Sequence, residues 1–93
     1  MRTRPKRIRV HGHVQGVWFR DWTIREAKGL GIDGCVRNRR DGMVEVLAAG
    51  EVDAVEALIE RLREGPRNAQ VDRLEIDESD ESVAPGFTRA ATL

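Results

Sequence analysis

A chain of 93 residues, 34% of them charged and with Lys/Arg and Asp/Glu in equal number, is sized for one small domain that buries roughly 60 to 65% of its unfolded surface. Its single cysteine, Cys35, excludes an intramolecular disulfide and gives no reason to expect an oxidising compartment, and no window is apolar and long enough to span a bilayer. The expectation is one cytoplasmic domain over residues 1–93, with residues 1–5 a flexible N-terminal extension, no targeting segment and no membrane partner.

The zero net charge hides an asymmetry. Residues 1–40 hold eleven Lys/Arg against three Asp/Glu, whereas residues 41–93 hold five against thirteen. Either the first half attracts an anion, or the two halves interleave in the fold and neutralise each other.

Ile8 and Val10 alternate with Arg7, Arg9 and His11, the period of two expected of a strand with one buried face, and Gly12 ends the run. From Phe19 the period changes. Phe19, Thr23, Ala27 and Leu30 fall on one helical face, with Ile24 beside them and Gly31 placed to close the helix. The intervening HGHVQG is thus a loop from strand to helix. Gly34 to Arg39 and Met43 to Ala49 flank RRDG, whose Asp41-Gly42 suits a tight turn, so the pair reads as a hairpin with Asn38 near its turn end. Val52, Val55, Leu58, Ile59 and Leu62 then recur at helical spacing. Glu51 and Asp53 favour the start of that helix and Gly65-Pro66 stops it. Leu74 and Ile76 mark a fourth strand. After an acidic turn, Phe87 anchors a short fifth, beyond which the sequence is a poor strand former.

The order β-α-β-β-α-β plus a short terminal strand predicts an α+β ferredoxin-like sandwich, with two helices on one face of an antiparallel sheet. Such a fold hosts many functions, so function has to be read from the loop between the first strand and first helix. That loop exposes backbone N–H groups with no partner inside the helix, and Gly16 lets it curl inward. Arg20, on the first turn, can present a planar fork of donors to an oxyanion. On the residues alone, a solvated Arg20 paired with a carboxylate such as Asp21 or Glu26 is the commoner arrangement. The loop is not a nucleotide-binding P-loop, because no Gly-Lys-Ser/Thr follows.

Three segments carry more. VHGHVQGVWFR at Val10 to Arg20, GCVRNRRDGMVEV at Gly34 to Val46 and EGPRNAQV at Glu64 to Val71 resemble, in order and spacing, the landmarks of the acylphosphatase family. The resemblance runs from about Arg7 to Phe87. It implies a small ferredoxin-like enzyme that hydrolyses the carboxyl–phosphate bond of acyl phosphates, releasing inorganic phosphate, with neither metal nor cofactor. It further implies that Arg20 binds the phosphate, that backbone amides of Gln15, Gly16, Val17, Trp18 and Phe19 surround it, and that Asn38 positions the attacking water. The sequence departs from the pattern at Cys35, where the family often has an aromatic residue, which implies looser packing beside the second strand. Acetyl phosphate, carbamoyl phosphate and 1,3-bisphosphoglycerate are equally compatible substrates, and the partner expected is that small molecule, met by a monomer.

Other constellations are weaker. His11 and His13 would need Cys35 or a distant carboxylate to complete a zinc site. Trp18 and Trp22 read as half-buried covers beside the loop. The rival function is a nucleic-acid or ligand-binding module on the same fold, motivated by Arg37, Arg39 and Arg40 around Asn38. Against it, strands one and three lack the aromatic residues on which such domains stack bases. No nucleic-acid partner is expected.

Overall fold

The computed structural model describes residues 1–93. Five strands and two helices follow in the order β1 (Lys6–His13), α1 (Phe19–Gly29), β2 (Asp33–Asn38), β3 (Val44–Ala49), α2 (Val52–Glu64), β4 (Gln70–Glu78) and β5 (Phe87–Arg89). They form one sheet ordered β4-β1-β3-β2-β5, with the two helices packed on it. The first four strands are antiparallel to their neighbours, but β5 lies parallel to β2, so the sheet is mixed rather than wholly antiparallel. The connection from β4 crosses from one edge of the sheet to the other, which places β5 beside β2 and alongside it in the same direction.

The alternation in β1 buries Ile8 and Val10 against the helices and leaves Arg7, Arg9 and His11 on the other face. Val36, Val44, Val46 and Ala48 extend the buried face across β2 and β3. From above it is covered by Phe19, Thr23 and Ala27 of α1 and by Val55, Leu58 and Leu62 of α2, positions three or four apart on one face of each helix. Each such apolar side chain contributes about 1.5–3 kcal/mol when fully buried. The Thr23 hydroxyl donates to the Phe19 carbonyl at 2.8 Å, which satisfies the one polar group on this face of α1. The helix ends as its sequence suggests: Gly31 takes φ 71° while its N–H and that of Ile32 bond back to Lys28 and Ala27, a Schellman closure.

Two glycines are fixed by space as well as by conformation. At Gly12, where β1 shifts register against β4, a Cβ would sit 2.1 Å from the Gln70 carbonyl oxygen; at Gly34 it would sit 1.8 Å from that of Leu47. The bulge at Gly12 bends the end of β1, from which the following loop leaves the sheet.

Both ends of the chain are tied to the sheet. Residues 1–5, read from the sequence as a flexible extension, hold Thr3 N–H against Gly50 O at 2.8 Å and the Met1 ammonium against Glu51 at 2.6 Å, and the Pro5 carbonyl accepts from Ser79. Beyond β5, Ala90 N–H reaches Val36 O and Leu93 N–H reaches Asn38 O, so pairing beside β2 continues through residues with little strand propensity. The two charged halves do interleave: Arg4, Arg7 and Arg9 pair with Asp80, Glu81 and Asp77.

The hairpin turn between β2 and β3 supplies a test of its electrostatics. Gly42 takes φ 94°, and the Asp41 carboxylate accepts Met43 N–H at 3.0 Å and Arg39 Nε at 2.9 Å. The Met43 hydrogen bond first, and then Arg39, holds the Asp41 carboxyl below the usual aspartate range. A carboxyl lowered in the folded state contributes stability that is complete above the unfolded value, about pH 4, and is lost as the pH falls through the folded one. Replacing Asp41 by Ala is therefore expected to lower Tm near neutral pH, with the gap to the parent narrowing below about pH 4. A gap of constant size in thermal melts across that range would refute the assignment.

Candidate active site

The loop from Val14 to Trp18 is pinned at its base. Val14 is buried in the core, and the Gln15 side-chain amide donates to the carbonyls of Arg39 and Met43 at 2.7 and 2.8 Å, fastening the loop to the hairpin turn. Gly16 and Trp18 both have positive φ, 74° and 64°. For Trp18 that conformation costs on the order of 1–3 kcal/mol, strain of the kind that gathers at functional sites. The result is a concave run of backbone in which no N–H from Val14 to Trp18 finds an acceptor within the protein. No side chain caps α1, which starts at once with Phe19. Backbone N–H groups without partners beside a helix N-terminus are the kind of donors an anion accepts from.

Arg20 is the second residue of α1 and lines a cavity of about 300 Å³ together with Gly16, Trp18, Phe19 and Asn38. Both carboxylates near enough in sequence to neutralise it are engaged elsewhere: Asp21 pairs with Arg89, and Glu26 with Arg61 at 3.1 Å. The Arg20 guanidinium is consequently without an ion pair. Asn38 closes β2 from the other side. Its Oδ1 is sealed from solvent and accepts no hydrogen bond from the protein.

Of the residues expected here from sequence, Arg20, Asn38, Gly16, Trp18 and Phe19 share the cavity, whereas Gln15 and Val17 do not line it. The Gln15 side chain holds the loop in place, and the Val17 side chain lies toward a neighbouring hollow by Trp22 and Pro66. Trp18 and Trp22, expected as a matched pair of covers, differ: Trp18 is 77% exposed at the rim, while Trp22 is half-buried with its ring edge-on to Phe19 at 5.5 Å. Positive φ at Trp18 turns its side chain outward. The turn after α2 supports the site from behind, since a Cβ at Gly65 would come within 3.3 Å of the Phe19 ring.

Arg89 and Asp21 also line the cavity, and sequence reasoning missed the first of them. A lone arginine in a short strand near the chain end carries no local signal; only the parallel pairing of β5 with β2 brings it there. His11 lies 2.5 Å from Glu75 on β4, His13 is exposed, and nowhere do three His, Cys, Asp or Glu side chains converge.

The chain is a ferredoxin-like α+β sandwich whose first loop sets unpaired amides and an unpaired arginine beside one cavity. The acylphosphatase family model matches residues 6–88. The chain is 50% identical over 88 residues to an acylphosphatase of Rhizorhabdus wittichii, covering 95% of this chain and 89% of that one. It is 53% identical over 88 residues to one of Mesorhizobium japonicum, covering 95% and 94%. The crystal structure of acylphosphatase from Bacillus subtilis superposes with a TM-score of 0.87 at 34% identity, over 97% of this chain and 99% of that one. The chain belongs to the acylphosphatase family, enzymes that hydrolyse acyl phosphates. No helix is long and apolar enough to cross a membrane.

Proposed function

We propose that the chain hydrolyses the carboxyl–phosphate bond with Arg20 and the loop amides from Gln15 to Phe19 holding the phosphoryl group and Asn38 holding the water. The single observation that carries this reading is the buried, unpartnered Asn38 Oδ1 in the same cavity as an unpaired Arg20. Phosphoryl transfer through a loose transition state needs charge stabilisation and an aligned nucleophile more than it needs covalent help. Fixed N–H dipoles and one guanidinium answer the first need, and a neutral amide answers the second. Asn38 cannot ionise, so it orients water without taking its proton, which passes to a phosphate oxygen of the substrate. The departing carboxylate is a good leaving group and requires no protonation. Arg89, held by Asp21, also lines the cavity.

With the anion held by backbone and Arg20, hydrolysis of benzoyl phosphate is expected to persist in excess chelator, with inorganic phosphate competing and a phosphomonoester left intact. Activity that disappears on chelation and returns with zinc or magnesium would sink the metal-free reading. Turnover of the monoester at a similar rate would sink the substrate class. The reading also takes the protein as a cytoplasmic monomer without nucleic-acid partners. Supporting it are the single cysteine, the separate positions of the large exposed apolar residues Trp18 and Ile76, and the absence of aromatic residues from β1 and β3.

A further inference from the structure

The sheet face turned away from the helices carries a second cavity of about 220 Å³ that shares no residue with the first. Its charge pattern is set by register. Because β3 lies between β1 and β2, Arg9, Glu45 and Arg37 stand in one row across the strands, and Arg7, Leu47 and Cys35 in the next. Glu45 is only 8% exposed. Its carboxylate accepts from Arg39 Nη1 at 3.2 Å and lies 3.5 Å from Arg9 Nε. Glu45 thus pairs with two guanidinium groups, Arg39 being shared with Asp41 at 2.9 Å, and Arg37, directly opposite Glu45 in the ladder, is left without an ion pair, so that four arginines line the cleft against two glutamates. At the margin Arg7 is matched by Glu81, and Asp77 reaches Arg9 from outside at 3.7 Å.

The imbalance is built into the floor of the cleft and is not a scatter of surface charge. Arg9 Nε is sealed from solvent and has no hydrogen-bond acceptor. Its nearest acceptor is the Glu45 carboxylate at 3.5 Å, an ion pair that leaves the Nε hydrogen-bonding capacity unused. Arginines on neighbouring rows offer planar forks that match oxyanions two contacts at a time. The hollow is too small for more than a compact ion, and its three strands contain no aromatic residue on which a base could stack.

We propose that this cleft is a second anion site, taking a small ligand with two adjacent oxyanion groups, a diphosphate being the simplest, through Arg9, Arg37 and Arg39. Neither the catalytic reading nor the residues of the first cavity enter into it.

Inorganic pyrophosphate is the probe, titrated calorimetrically and by amide NMR into the Arg20→Ala chain at physiological salt, so that the first cavity does not compete. One pyrophosphate per chain is expected, with amide shifts at Arg9, Arg37 and Glu45 rather than in the Val14–Trp18 loop. Arg37→Gln, which leaves no partner orphaned and keeps benzoyl phosphate turnover in the parent background, should weaken binding by about tenfold or more. Arg9→Gln provides the second variant. Failure of the Arg20→Ala chain to bind pyrophosphate would overturn the proposal, as would shifts confined to the loop or unchanged affinity in both arginine variants. Displacement of pyrophosphate by single-stranded RNA at the same salt would also overturn it, because the face would then be reading a polymer.

Discussion

Arg20→Ala is expected to lower kcat for benzoyl phosphate by at least about 10² to 10³, the scale for removing one preorganised donor from a developing oxyanion, and to raise the inhibition constant of inorganic phosphate alongside it. Both effects follow from the same geometry. The carboxylates that would otherwise occupy this guanidinium are bound to Arg89 and Arg61, so in the free protein its charge is uncompensated and directed at the cavity. Ground state and transition state lose the interaction together. Arg20→Lys should restore little, since an ammonium cannot span two oxygens in one plane. The fold should survive, because Arg20 is half-exposed on the first turn of α1 and contributes no side chain to the core. Steady-state kinetics with phosphate inhibition, beside circular dichroism, measure all of this. A folded Arg20→Ala chain with an unaltered phosphate inhibition constant would show that the arginine does not hold the phosphoryl group.

Asn38→Ala should separate the two halves of the site. With the phosphate cradle intact, phosphate affinity is expected to stay within a few-fold of the parent while kcat falls by a factor comparable to that for Arg20→Ala, since only the water loses its alignment. Stability supplies an independent check. Most buried polar side chains lose a hydrogen bond on truncation, but Asn38 Oδ1 has none to lose, and the Asn38 main-chain carbonyl keeps its bond from Leu93 at 3.1 Å. Tm should therefore not fall by the amount usual for a buried polar deletion. Full kcat in the variant, or phosphate binding weakened as much as in Arg20→Ala, would remove Asn38 from the water-positioning role.

What could be read from sequence was what local chemistry encodes. Phe19, Thr23 and Ala27 declare a helix face by spacing alone, and Asp41-Gly42 declares a turn. Arg20 and Asn38 were legible through the segments that contain them. The elements that escaped depend on pairing between distant parts of the chain. Ala90 to Leu93 have no strand propensity because their contribution beside β2 is made by main-chain groups, which every residue possesses. Arg89 reaches the cavity only through that pairing. The expectation for Gln15 concerned its backbone amide; that its side chain also braces the loop against the hairpin was not legible, because sequence spacing contains nothing to mark which carbonyls a side chain will reach.

The strand order has a kinetic meaning. Only β2 and β3 are neighbours both along the chain and in the sheet, whereas β1 must find β3 and then β4, with Lys6 meeting Glu78. Such non-local pairing makes the search for the native topology slow relative to helical proteins of similar size. The Val14–Trp18 loop springs from the end of β1 and is braced by the hairpin, so its concave shape cannot precede the assembly of those strands. On the proposed role of the loop, a partly folded chain offers phosphate no binding site. Occupancy accordingly acts on the completed molecule alone, lengthening its lifetime against unfolding while leaving the speed of refolding almost untouched.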